Sequence, residues 1–178
     1  MIEMLFLLVQ QDPGFSPNVE ELFEQHADMV YRIAFVQMKT AADTDDVFQE
    51  VFLRLVKHAH KLKSGEHAKA WLIRCTLNCC NSAHTSTWKK KTTALEDYQE
   101  VVDGLDLRQI ELLEAVKKLS PDHQAVIHLF YYEGYSNQEI AALLDVNENT
   151  VKSRLRRARQ DLRAVWEDPE ESGDSDEG

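Results

Sequence analysis

Apolar residues recur along this chain at intervals of three and four, the spacing that gathers them on one side of an α-helix. No stretch alternates with the period of two that marks a half-buried strand. Leu22, Met29, Ile33 and Val36 share one side of a segment from about residue 19 to residue 38. Val47, Val51 and Leu55, extending to Ala59, do so on a second segment, and Trp71, Cys75, Asn78 and Cys79 fall together on a third. Farther on, Leu112, Leu113, Val116 and Leu119 form a fourth stripe. The pattern predicts an all-α protein in two small helical domains.

Local punctuation divides the last third of the chain. Ser120-Pro121 reads as an N-cap followed by proline at the first helical position, where its missing N–H costs nothing, and Gly134 closes that helix. Ser136 with Glu139 three residues on is a capping box, which opens a short helix over residues 137–144. Asp145-Val146-Asn147 makes a turn, and Asn147 caps a final helix from residue 148 to about 166. A short helix, a turn of about three residues and a longer basic helix is the helix-turn-helix pattern. On the final helix Val151, Leu155, Ala158, Leu162 and Val165 form one apolar stripe. The opposite side presents Asn149, Lys152, Ser153, Arg156 and Gln160, flanked by Arg157 and Arg163.

Those side chains suit a major groove. Arg and Lys donate to guanine O6 and N7, Asn bridges adenine N6 and N7, and Ser permits close approach. Arg154 and Arg159 lie nearer the apolar edge and suit phosphate oxygens. A basic face can also be an ordinary solvated surface; the capped short helix directly before it favours DNA.

Composition at first opposes that reading. The 178 residues carry 20 Lys+Arg against 31 Asp+Glu, a formal charge of −11 with 43% apolar residues, which excludes a uniformly basic nucleic-acid coat. The charge is segregated, however. Residues 1–56 carry −7, 57–91 carry +7, 92–111 carry −5, 112–146 carry −3, 147–165 carry +4 and 166–178 carry −7. Local sign rather than net charge decides which surface approaches phosphate. Residues 1–18 read as an N-terminal extension, 19–91 as a first domain, 92–107 as an acidic linker containing Gly104, 108–166 as a second domain and 167–178 as a disordered acidic tail.

Three cysteines cannot make an even disulfide framework, which points to a reducing compartment. Apolar residues 1–9 include Glu3 and lack a basic n-region, so they make a poor signal peptide. They also fall well short of the roughly 20 residues that span a membrane. A soluble, cytoplasmic protein is expected. Residues 1–9 suit either a short amphipathic helix docking on the first domain or on a partner, or, their register being ambiguous, a disordered segment.

With the helix-turn-helix in hand, a family resemblance emerges. Thr150-Val151-Lys152-Ser153-Arg154-Leu155, followed by Arg157-Ala158-Arg159, resembles the region 4 recognition helix of bacterial RNA polymerase sigma factors of the extracytoplasmic-function type in the sigma-70 family. Leu119-Ser120-Pro121 and Tyr131-Tyr132-Glu133-Gly134-Tyr135-Ser136 with Glu139-Ile140-Ala141 resemble the start of that region. Upstream, Asp43-Thr44-Asp45-Asp46-Val47-Phe48-Gln49-Glu50-Val51-Phe52-Leu53 is similar to the polymerase-binding helix of sigma region 2. Ala70-Trp71-Leu72-Ile73-Arg74 with Asn78 is similar to its promoter-melting helix.

The resemblance implies a protein that binds core RNA polymerase, directs it to promoters and opens the minus-ten element. It assigns Asp45, Asp46, Gln49 and Glu50 to the beta-prime clamp helices, with a further contact of the protein to the beta flap. It assigns Lys61, Lys63, Arg74, Asn78, Lys89 and Lys90 to the minus-ten element, and Asn149, Lys152, Ser153, Arg154, Arg156 and Arg157 to the minus-thirty-five element. Residues 61–67 are expected to be a loop, flexible at Ser64-Gly65, that helps capture a flipped base. Trp71 falls on the apolar stripe and reads as core. An anti-sigma factor is an implied partner, and no cofactor is implied.

Two departures from the commoner family pattern stand out. Leu77 replaces a frequent basic residue before Asn78, with Cys79-Cys80-Asn81-Ser82 after it, and Asp145 replaces the usual glycine of the turn. Asp tolerates the left-handed conformation better than most residues.

Rival readings remain. One is a helix-turn-helix regulator that binds DNA without polymerase. Another is a thiol or metal sensor built on Cys75, Cys79 and Cys80 with His84 nearby; such a site needs three or four converging ligands, and buried thiols are the default. No nucleophile triad or phosphate-binding glycine loop is apparent, so no enzyme is expected.

Overall fold

A computed structural model describes residues 17–87 and 107–166. The described residues form seven α-helices and a short 3-10 turn over Ala59–Lys61. The helices are α1 (Val19–Gln37), α2 (Ala41–His58), α3 (Gly65–Thr87), α4 (Leu107–Lys118), α5 (Pro121–Tyr131), α6 (Asn137–Leu144) and α7 (Glu148–Trp166). No described helix is long and apolar enough to cross a membrane. Residues 1–16, the basic run Lys89–Lys91, the linker up to residue 106 and the tail from residue 167 lie outside the described residues.

Helices α1 to α3 form the first lobe. Asn18 accepts the Glu20 amide at 3.1 Å to start α1. Thr40 accepts the Asp43 amide at 3.1 Å and donates its hydroxyl to the Asp43 carboxylate at 2.8 Å, closing the first turn of α2. Ser64 accepts the His67 amide at 3.1 Å, so residues 65–67 form the first turn of α3. The loop expected over residues 61–67 is therefore shorter, and Gly65 is helical. A serine hydroxyl in front of orphan amides begins the helix where the polar composition suggested a loop.

The first lobe closes around Val30, Ile33, Val51, Leu55, Leu72, Ile73 and Cys80, each no more than 2% exposed. Two threonines sit among them without an unmet hydroxyl: Thr44 donates to the Thr40 carbonyl at 2.9 Å and Thr76 to the Leu72 carbonyl at 2.7 Å. One stripe position differs from expectation: Asn78 is exposed, because the helix turns its buried side toward Cys75, Cys79 and Cys80. Trp71 is half-buried and packs against the core, its ring 6.0 Å from that of His58.

Helices α4 to α7 form the second lobe. In α4 and the turn after it the buried positions are Ala115 and Leu119, whereas Leu112 is 40% exposed. Ser120 and Pro121 sit as expected at the start of α5, yet the Ser120 hydroxyl makes no capping bond. Gly134 (φ 72°) turns the chain out of α5, and the Ser136 capping box is fully formed: Ser136 Oγ accepts the Glu139 amide at 3.3 Å while the Glu139 carboxylate accepts the Ser136 amide at 2.8 Å. Asp145 adopts the left-handed conformation (φ 54°, ψ 46°). Asn147 then accepts the Thr150 amide at 2.8 Å and opens α7.

The lobes pack against each other in one continuous apolar cluster that runs from Leu22 to Ala158. Polar contacts border the join. The Gln37 side-chain amide, at the end of α1, donates to the Pro121 carbonyl at 3.0 Å. Lys117 reaches from α4 to the Met38 carbonyl at 3.3 Å and lies 3.9 Å from the centre of the Phe35 ring. Desolvation there pushes the Lys117 ammonium down to about 8.

Candidate nucleic-acid interface

The exposed basic side of α7 depends on how that helix is held. Val151, Leu155 and Ala158 are buried against α5 and α6, and Leu162 packs on the same cluster, as the stripe predicts. That burial fixes the opposite side outward. Asn149, Lys152, Arg156, Arg157, Arg159, Gln160 and Arg163 are exposed, while Ser153 and Arg154 are half-buried.

The cations on α7 differ in their freedom. Lys152 pairs with Glu148 at 2.7 Å across one turn, an exposed contact of about 0.3–0.5 kcal/mol that a phosphate easily replaces. Arg154 is bound to Asp122 at the start of α5. Arg159 donates to the Tyr131 hydroxyl at 2.8 Å and lies 5.6 Å from the ring centres of Phe130 and Tyr131. These two arginines tie α7 to α5, whereas Arg156 and Arg157 have no ion pair among the described residues and face solvent.

The second basic element is α3 and the residues before it. Lys61 is exposed, and Lys63 is half-buried, its amide donating to His67 Nδ1 at 3.2 Å. Arg74 and Asn78 stand on the side of α3 that faces the second lobe. With Asn81 and Gln37 they line a cavity of about 300 Å³ whose far wall includes Pro121, Asp122, Leu143, Asp145 and Arg154. The fold thus brings Arg74, Asn78 and Arg154 around one space and leaves Lys61 and Lys63 beyond the start of α3. Asn81 and Gln37 were not anticipated; their only sequence signal is a polar residue on a helix side without an apolar stripe. Lys89 and Lys90 lie outside the described residues.

The assigned polymerase residues Asp45, Asp46, Gln49 and Glu50 are all exposed on α2, with Glu50 paired to Arg54 at 2.6 Å. Beside them lies an apolar surface that sequence reading missed. Leu53 and Val56 are 57% and 61% exposed, and Phe23 packs edge-on to Phe52, their ring centres 4.6 Å apart. Phe48 joins them 4.9 Å from Phe52. A signal was available: Phe48, Phe52, Leu53 and Val56 fall off the Val47-Val51-Leu55 stripe, so one helix cannot bury both sets against the same neighbours. Exposed apolar patches rimmed by charge mark interaction surfaces.

The three cysteines are buried and free. A hydrogen bond between Cys75 and Cys79 raises the former thiol and lowers the latter, while burial pushes Cys80 up to about 12. Among the described residues no three His, Cys, Asp or Glu side chains are placed to hold a metal ion.

Comparison with known proteins bears on both surfaces. The sigma-70 region 2 family model matches residues 22–90, and the sigma-70 region 4 model matches residues 109–162. The extracytoplasmic-function RNA polymerase sigma factor SigE of Mycolicibacterium smegmatis is 34% identical over 162 residues, which are 85% of this chain and 63% of SigE. SigL of Mycobacterium tuberculosis, named in the same way, is 31% identical over 155 residues, 83% of this chain and 88% of SigL. In fold, the chain resembles the sigma factor RpoE of Bartonella quintana, solved with the anti-sigma factor NepR (TM-score 0.63, 21% identity, 83% and 95% of the two chains). It likewise resembles CnrH, solved with the cytosolic domain of CnrY (TM-score 0.63, 23% identity, 90% and 95%). With both region models matched in order and a relative above 30% identity spanned over most of its length, the chain belongs to the extracytoplasmic-function RNA polymerase sigma factors of the sigma-70 family.

Proposed function

We propose that this chain binds core RNA polymerase through the exposed α2 surface and the second lobe, and directs it to promoters. The α2 side chains Asp45, Asp46, Gln49 and Glu50 contact the beta-prime clamp helices, with the Phe23-Phe48-Phe52 surface as the apolar part of that contact, and the second lobe meets the beta flap. Asn149, Lys152, Ser153, Arg156 and Arg157 read the minus-thirty-five element in the major groove. Arg154 adds a phosphate contact from the edge of α7. Arg74 and Asn78, with Lys61, Lys63, Lys89 and Lys90, hold the melted minus-ten strand.

One observation carries this reading: α7 buries an apolar stripe and leaves Asn149, Lys152, Arg156 and Arg157 outward on a helix whose start is capped by Asn147. A groove-reading helix needs that division, because the buried side fixes its angle and the outward side supplies donors. The chain's net charge of −11 makes free binding to duplex DNA weak and steeply salt-dependent. Joined on polymerase, two modest readers act at high effective concentration. An anti-sigma factor that covers the α2 surface is the expected negative partner. The chain's cytoplasmic location follows from this role.

The test is run-off transcription by core polymerase on templates from the source genome, with and without the chain. Promoter-dependent transcripts are expected only with it, and their loss on changing Asp46 and Glu50 together to Lys assigns the α2 surface. Tight, polymerase-independent binding to one duplex site would favour a free-standing regulator instead.

A further inference from the structure

The join between the lobes contains an ion-pair centre that the proposed function does not use. Glu133 sits on the turn between α5 and α6, where a carboxylate is ordinarily solvated, yet its side chain is only 7% exposed. Lys69 of α3 approaches it at 3.2 Å and Arg32 of α1 at 3.8 Å, both from the other lobe. His128 of α5 stands 3.7 Å away within its own lobe. Lys69 also lies 5.3 Å from the centre of the Tyr135 ring, a second contact across the join. Burial, and after it the Lys69 charge, lower the His26 imidazole of α1, while Glu133 opposes them.

Lys69 stands near the start of α3, and the cavity bearing Arg74 and Asn78 lies farther along the same helix. A bound single strand needs a basic track open along several nucleotides. Here that track is walled by Pro121, Leu143 and the Asp122-bound Arg154. We propose that Glu133 is a latch: its pairs with Lys69 and Arg32 hold the lobes in a closed form in which Arg74, with Asn78 at the exposed rim, lines a cavity shared with the second lobe instead of an open track for DNA. The masking half of this inference rests on the strand-binding reading of Arg74 and Asn78; the latch itself does not. The Glu133 carboxylate is the buried member of the set, and the Lys69 and Arg32 side chains are 35% and 52% exposed, so loss of either cation leaves a buried charge less compensated and weakens the closed form.

The full chain tests this by small-angle X-ray scattering and by fluorescence anisotropy with a labelled mixed-sequence single-stranded DNA. Glu133→Gln should enlarge the radius of gyration with helix content unchanged and tighten strand binding about tenfold, as expected if the closed form is populated about ten to one. Lys69→Gln should enlarge it to a lesser degree, because Arg32 remains, and Lys69→Arg should keep the compact form. If Glu133→Gln fails to fold, Lys69→Gln and Lys69→Arg decide. Unchanged scattering in folded variants overturns the latch. Expansion without tighter strand binding supports the latch and overturns the masking of Arg74 and Asn78. Scattering requires neither polymerase nor DNA, so failure of the transcription assay leaves this result independent.

Discussion

The two basic surfaces of this sigma factor are held in opposite ways. On α7 the donors of Lys152, Arg156 and Arg157 face solvent, and the two arginines tied down, Arg154 and Arg159, are bound within their own lobe. On α3, Arg74 and Asn78 face a cavity whose other wall belongs to the second lobe. The surface proposed to read duplex DNA is complete on α7 itself, whereas the one proposed to hold a single strand depends on where the other lobe sits. An α-helix presents its outward side whenever its own stripe is buried; a surface at a join is set by every contact across it.

The largest test of that contrast removes the support of α7. Leu155 is 2% exposed beneath the recognition side, and Leu155→Ala should cost about 2–5 kcal/mol, read as a lower urea midpoint. If α7 is independent of the join, the loss should fall on the second lobe and abolish duplex binding while helices of the first lobe remain. Equal loss in both lobes would instead show one cooperative unit.

A smaller effect distinguishes the surfaces directly. Arg156→Ala should weaken duplex binding by the holoenzyme by about 1–3 kcal/mol at one base position, measured by competition across single-base variants. Arg74→Ala should leave that duplex affinity unchanged and slow promoter opening, monitored by permanganate reactivity. Equal effects on both measurements would dissolve the distinction.

The most subtle test is pH. His128 and then Lys69 hold the Glu133 carboxyl down to about 2, from an ordinary value of 4.5. Its contribution is therefore full above about 4.5 and is lost as pH falls toward 2. Scattering should show the chain expanding within that acid window, and Glu133→Gln should lack the step.

Local instructions were readable because they act within a few residues. The Ser136–Glu139 box, the Asn147 cap and the left-handed Asp145 each involve atoms no more than four positions apart, and the stripe of α7 follows directly from helical period. The same reasoning misplaced residues 65–67, because Ser64 can be either a loop residue or a cap, and it placed Leu112 in the core on spacing alone although α4 buries Ala115 instead. The apolar surface of exposed Phe23 and half-buried Phe48 and Phe52 was legible only as a surplus of apolar residues off the stripe.

Sequence by itself thus determined the seven described helices' approximate places, the family and the outward side of α7, since periodicity, capping and charge are properties of neighbours in the chain. Tertiary structure alone decided that Asn78 is exposed, that Arg74 shares a cavity with Arg154, and that Glu133 meets Lys69, 64 positions away in the chain. No local pattern encodes such a meeting, because the partners lie on different elements and come together only when the two lobes pack.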